Sequence, residues 1–203
     1  MSVAHLEKST LEKIDKKLPD LRKLQKIVVQ IAPDIISMKF NHKSTIPIAA
    51  VCLKDTIKIL SEARYALREI HINKIYHLEK VKEPNELASV YFSKFYADDI
   101  ALRLYAAAEH LACSIMYMLE IKMNEIKNEK RKNTKISNSS VLGKYLLKTM
   151  PTHTISKAIS KLINSEDWTK TLEYRNKWVH EQPPLVEGLG IVYNPSSGKK
   201  LQR

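Results

Sequence analysis

The chain has 203 residues, 44% hydrophobic and 28% charged, a balance that fits a globular protein and excludes wholesale disorder. Its 34 lysines and arginines against 22 acidic residues give a formal charge of +12. That favours polyanionic partners, nucleic acid or an anionic surface, although lysine-rich helices also serve solubility alone. Four glycines occur in all, and Gly143 alone precedes Gly188, so Rossmann turns, P-loops and tight β-hairpins have nowhere to form and the nucleotide-hydrolase and dehydrogenase classes drop out.

The opening stretch, MSVAHLEKSTLEKIDKK, is charged throughout and predicts no secretory leader. No long uncharged apolar window predicts a membrane span, so a cytoplasmic protein without membrane attachment is expected. Residues 3–17 read as a first helix, with Leu6, Leu11, Ile14 and Leu18 at helical spacing and Pro19 as its end. Asp20 is placed to cap the next, whose face is Leu21, Leu24, Ile27, Val28 and Ile31 up to Pro33. Residues 35–44 are ambiguous between a short helix and a loop.

Pro47 starts a long helix to about residue 81, with Ala49, Ala50, Leu53, Ile57, Leu60, Ala63, Leu67 and Ile70 on its face. Glu83-Pro84-Asn85 breaks it, and Asn85 caps a second long helix over about residues 86–128. Each would span roughly 50 Å or more at 1.5 Å per residue. The short turn between them predicts an antiparallel hairpin. Cys52 and Cys113 fall in these helices without a CxxC neighbour and read as two buried, reduced thiols.

Residues 128–140 are polar and basic, an exposed loop. Helices over about 140–149 and 154–164 follow, separated by Pro151. Ser165 caps a last helix, with Glu166 and Asp167 in its first turn, and Pro183-Pro184 ends it. The tail from Leu185 carries Lys199-Lys200 and one short strand at 190–193. The expectation is an all-α fold, an antiparallel helical bundle built on two long helices, with one helical domain over 1–184 and a basic tail over 185–203.

Projected at about 100° per residue, the last helix places Trp168, Leu172 and Val179 in one stripe facing the core. Tyr174 and Trp178 widen that stripe, and Lys170, Glu173 and Lys177 lie opposite. Arg175 falls inside the stripe, with Asn176 and His180 on its edge. A guanidinium aimed at a core needs a carboxylate or an anionic ligand. An ion pair to a neighbouring helix is one reading; an anion site is the other, with His180 able to move a proton near neutral pH. From Leu104 to Leu119 the strongly polar side chains are Glu109 and His110, flanked by alanines that permit close helix approach. Glu109 needs a partner, which is either Arg175 or a lysine elsewhere.

The segment Arg175-Asn176-Lys177-Trp178-Val179-His180 resembles the signature of the HEPN superfamily, an arginine and a polar residue followed after three positions by a histidine. The resemblance covers the motif and the helices from about residue 47 to 183; residues 1–45 do not map. It implies a helical bundle and a metal-independent endoribonuclease of a toxin or defence type, needing no cofactor. RNA would be cut by 2′-hydroxyl attack, leaving a 2′,3′-cyclic phosphate, with Arg175, Asn176 and His180 catalytic and Glu109 supporting. It also implies a homodimer sharing one cleft, with an antitoxin or nucleotidyltransferase as possible partner. The alternative is a non-catalytic HEPN-like module that binds nucleotide, RNA or a partner; a third is a helical scaffold in which Arg175 is an ion pair.

Lys130, Arg131 and Lys132 lie in a run that is either a solvated loop or, with Lys177, a contact to the RNA backbone. Asp98 and Asp99 point to different faces and read as surface salt bridges to Lys94 and Arg103. His71 and His77 are wrongly spaced for two zinc ligands on one turn, and His5, His42 and His153 read as isolated and solvent-facing.

Overall fold

The computed structural model describes residues 6–31, 45–122, 126, 138–180, 192–193 and 200–201, with residues 31, 138, 180 and the two strands described in backbone alone. Seven α-helices appear among them: α1 Lys8–Lys17, α2 Arg22–Ile31, α3 Ile46–Ile75, α4 Glu86–Met118, α5 Asn138–Thr149, α6 Thr154–Ile163 and α7 Glu166–His180. The all-α expectation holds, and the short strand expected within 190–193 is present with a second one beside it. Strands β1 Val192–Tyr193 and β2 Lys200–Leu201 pair antiparallel, Val192 opposite Leu201. No described helix is long and apolar enough to cross a membrane.

The chain divides into two compact units. The first comprises Met1–Pro19, Glu62–Leu102 and Tyr174–Arg203. Its core is Ile14, Leu18 and Ile72, with Leu6, Leu11, Leu67 and Ile75 packed against them. Asp15 of α1 meets Arg68 of α3 at 3.0 Å, and the Arg64 Nε donates to the Pro19 carbonyl at 2.9 Å, so α3 grips the end of α1 through its arginines. Helix α3 then widens into a π-turn over Tyr76–Lys80 before Val81 becomes extended. The ring of His77 stacks on Phe92 of α4 at 5.5 Å, and Asn85 N–H donates to the His77 carbonyl at 2.9 Å, closing the turn between the long helices. Asn85 caps α4 as expected: its Oδ1 accepts from Ala88 N–H at 2.9 Å.

The second unit comprises Asp20–Ser61 and Arg103–Glu173. Its core joins Ala112, Ile115 and Met116 of α4 to Val141, Leu142 and Leu146 of α5 and Ile159 of α6, with Ile126. Helices α3 and α4 run antiparallel here. Thr45 Oγ1 donates to the Tyr117 carbonyl at 2.7 Å, Ser114 Oγ to the Ala49 carbonyl at 2.8 Å, and His110 Nδ1 lies 3.9 Å from Asp55 Oδ2. Helix α2 starts from Asp20, whose carboxylate accepts from the Arg22 N–H at 3.0 Å.

Helix α1 starts at Lys8 after an extended Glu7, five residues later than expected, and two further boundaries differ from the sequence reading. Helix α4 ends at Met118, ten residues short of the expected 128. Ile121 N–H donates to the Met116 carbonyl at 2.9 Å and Glu120 N–H to Tyr117 at 3.4 Å, with Glu120 at φ 52. That is a Schellman closure, in which a left-handed residue ends a helix. Apolar residues continue past it because Ile121 and Ile126 pack back on the α4–α5 core. Helix α5 begins at Asn138, two residues early, because Ser139 is drawn into its first turn by the contact described below. The expected readings for residues 1–5, 32–44, most of 123–137 and 181–191 lie outside the described residues, as do His5 and His42.

Candidate functional site

Helix α7 opens under Ser165, whose Oγ accepts from Trp168 N–H at 3.2 Å, with Glu166 and Asp167 in the first turn where the helix dipole favours negative charge. Trp168 is buried, its ring parallel to Tyr105 at 6.4 Å. Lys170, Glu173 and Lys177 lie on the face that the helical projection turned away from the core, and Lys170 pairs with Glu166 at 2.6 Å. The predicted core stripe does not extend to the end. Trp178 is 38% and Val179 42% exposed, which corrects their placement in the core. A helical wheel assumes a core running the whole length of the helix; here side-chain burial thins out towards the end of α7.

In the first unit, α7 is held to α4 one residue ahead of the motif. The Tyr174 hydroxyl donates to Asp98 Oδ1 in a short hydrogen bond, and Lys94 Nζ sits 3.1 Å from both Asp98 oxygens. The Lys94 and Asp98 side chains are 19% and 18% exposed, so the expected salt bridge exists but is largely enclosed, not on the surface. Burial first, then the hydrogen bond and charge of Asp98, push the Tyr174 phenol well above its ordinary value and keep it protonated. Spacing within one helix predicts Lys94–Asp98; Tyr174 is 76 residues away and left no such signal.

Arg175 and Asn176 are both half-buried, and Arg175 Nη1 donates to Asn176 Oδ1 at 3.1 Å. The asparagine thus fixes one edge of the guanidinium and leaves its own amide N–H pair as donors. Two adjacent donor groups, one charged, suit a phosphate or carboxylate oxygen. The backbone of His180 completes the last turn of α7; its side chain lies outside the described residues, as do Lys130, Arg131 and Lys132.

Glu109, in the second unit, has partners of its own. Its Oε1 accepts from Ser139 N–H at 3.1 Å and from Ser139 Oγ at 3.2 Å. A half-buried carboxylate at the start of α5 satisfies one of the N–H groups that helix leaves open and meets the positive end of its dipole. The Ser-Asn-Ser-Ser run over 137–140 carried that capping signal.

Among the other candidates, His153 is exposed as expected, yet its Nδ1 accepts from Ile155 N–H at 3.2 Å and so caps α6. His71 is half-buried. Cys52 and Cys113 are unbonded and half-buried, which corrects the reading of both as buried. No group of three or more His, Cys, Asp or Glu among the described residues is arranged to hold a metal ion. No protein-family model, curated protein or solved structure matches the chain.

Proposed function

We propose that this chain is a metal-independent endoribonuclease of the HEPN type, acting in a toxin or defence setting, with its helices forming an antiparallel bundle. The observation that carries the reading is the half-buried Arg175, oriented by Asn176 at 3.1 Å on the last long helix of an all-α chain of charge +12, with a histidine at the end of the same helix. His180 takes the proton from an RNA 2′-hydroxyl as that oxygen attacks the adjacent phosphorus. The bond to the 5′-oxygen breaks, and a protonated imidazole returns a proton to the leaving group. The products are a 2′,3′-cyclic phosphate and a free 5′-hydroxyl. Arg175 stabilises the charge gathering on the phosphoryl oxygens, and Asn176 holds one of them through its amide. Lys177 contacts the RNA backbone, and Lys130, Arg131 and Lys132 are assigned further contacts to it.

Arg175 and His180 are about 140° apart around a regular helix, so one copy does not present both on one face. Two copies sharing a cleft resolve this. An apolar ridge in the same unit supports a second copy as partner: Leu87, Tyr91 and Phe95 follow one another at single-turn spacing on α4 and are 63%, 57% and 59% exposed. The stretch 62–102 carries six basic and seven acidic residues within a chain of +12. That local neutrality suits a protein interface better than an RNA one.

The test is incubation of purified protein with single-stranded RNA in EDTA. Cleavage leaving cyclic-phosphate ends, lost in His180→Ala with an unchanged melting temperature, is expected. RNA that is bound but left whole by the wild type would instead favour a non-catalytic RNA- or partner-binding module.

A further inference from the structure

In the second unit, the hydrogen bonds and charge pair between α3 and α4 fix a register. Thr45 meets residue 117, Ala49 meets Ser114, and Asp55 meets His110. Interpolating along these antiparallel helices sets Cys52 opposite residues 112–113. At single-turn spacing, Cys52 stands between Ala49 and Asp55, and Cys113 follows His110 by one turn on the same side of the helix pair. Ala49, 2% exposed, lies in this interface beside Ser114, and a residue that small lets the helix axes come close. With Cα atoms about 2.3 Å off each axis and axes about 8–10 Å apart, facing Cα atoms fall within the range a disulfide spans. The charge of Cys113 adds to the upward push on the Cys52 thiol, in keeping with that register.

We infer that Cys52 and Cys113 form a cross-helix dithiol that low-molecular-weight disulfides convert, reversibly, into an intramolecular staple between α3 and α4. The chemistry is two successive exchanges. The Cys52 thiolate attacks one sulfur of glutathione disulfide, forming a mixed disulfide and releasing one glutathione thiolate. The Cys113 thiolate then attacks the Cys52 sulfur, closing the protein disulfide and releasing the second glutathione thiolate. The protein loses two protons and two electrons; the two glutathione molecules gain them. Both cysteines are half-buried, so neither is fully sealed from a small reagent in the folded chain.

The pair rests protonated. Burial pushes both thiols up, with Asp55 adding to the effect on Cys52 and Glu109 to that on Cys113. Around the pair, among the described residues, stand those two carboxylates and His110, which faces Asp55. Since the thiolate is the nucleophile, exchange is slow at neutral pH and accelerates into the alkaline range. This inference stands apart from the ribonuclease reading and shares no catalytic residue with its site.

The experiment treats the native full-length chain with glutathione disulfide and follows intact mass and a non-reducing peptide map. The expected result is loss of the mass of two hydrogens, loss of both titratable thiols, one peptide pair joining Cys52 to Cys113, and full reversal by dithiothreitol. Cys52→Ser should instead accumulate a glutathione adduct on Cys113. The oxidised wild type should melt higher than the reduced form, because a long chain loop is closed. Two stable glutathione adducts on the wild type, disulfide-linked dimers, or closure that occurs in urea but not in native buffer would each overturn the inference.

Discussion

Tyr174 shows what one partly buried hydroxyl does in this molecule. Its phenol is pushed above the ordinary value near 10 by burial and by Asp98. At neutral pH both folded and unfolded chains keep the proton, and the contribution to stability is fully present. Above about pH 10 the unfolded chain sheds it while the folded chain holds it, so stability falls as pH rises towards the higher folded value. Tyr174→Phe should therefore flatten the alkaline limb of a stability–pH curve measured by urea unfolding. It should also lower stability at pH 7 by about 1–2 kcal/mol, because Asp98 keeps Lys94 but loses a partly buried donor. An alkaline limb unchanged by the substitution would remove Tyr174 as its source. Glu120 gives the opposite sign. It occupies the left-handed region at φ 52 as the closing residue of α4, where a side chain costs about 1–2 kcal/mol and glycine has no such penalty. Glu120→Gly should raise stability by roughly 1 kcal/mol, after the greater freedom of glycine in the unfolded chain is subtracted. Neither residue was legible beforehand. The Tyr174 partner is remote in sequence, and Glu120 closes a helix where the expected signal is a glycine.

The elements themselves were legible where punctuation is strong and blurred where it is weak. Pro84-Asn85 and Ser165 marked real helix starts because each has one local physical role, a forced break or a cap. The π-turn over Tyr76–Lys80 had no such mark: the helix ends with it, so no later apolar positions record the shift in phase that an extra residue makes, and the His77–Phe92 stack that accompanies it is tertiary. Close approach of α5 and α6 is likewise a tertiary fact, and it explains a helical glycine. A Cβ on Gly143 would sit 2.5 Å from Ile163 Cδ1 and 2.7 Å from Ile159 Cγ2. The Ile163 methyl ends a side chain that can swing away; the Ile159 methyl is attached at a β-branched carbon in a residue 5% exposed, and cannot. Gly143→Ala should thus destabilise by about 1–3 kcal/mol, despite the roughly 1 kcal/mol that alanine gains over glycine within a helix. In an Ile159→Ala background the obstruction is gone, and the same substitution should become stabilising. A double-mutant cycle in urea reads this reversal of sign. Purely additive effects would mean the glycine is there for another reason.

Across the whole molecule, charge and motif are distributed differently. The segments 20–61 and 103–173 of the second unit hold 19 basic and 10 acidic residues, +9 of the total +12, whereas Arg175 and His180 belong to the first. Charge composition could therefore suggest a polyanionic partner but not where the chemistry sits; the motif suggested the chemistry but not what holds the substrate. The ribonuclease reading assigns these jobs to different residues, and salt separates them. Each phosphate neutralised on a single strand contributes about 0.7 to the slope of log K against log salt. Replacing Lys130, Arg131 and Lys132 together by alanine removes three cations, so the slope for a single-stranded RNA should flatten by about 2. Cleavage measured at saturating protein should persist in that variant, because the transferring group is untouched. His180→Ala should do the reverse, abolishing cleavage while leaving the salt slope in place, since an imidazole that acts as a proton carrier displaces few counterions. Fluorescence anisotropy between low and physiological salt, paired with single-turnover cleavage of the same oligonucleotide, measures both quantities. If the triple variant lost cleavage at saturation with its salt slope intact, the basic run would be part of the reaction centre and not a grip on the backbone.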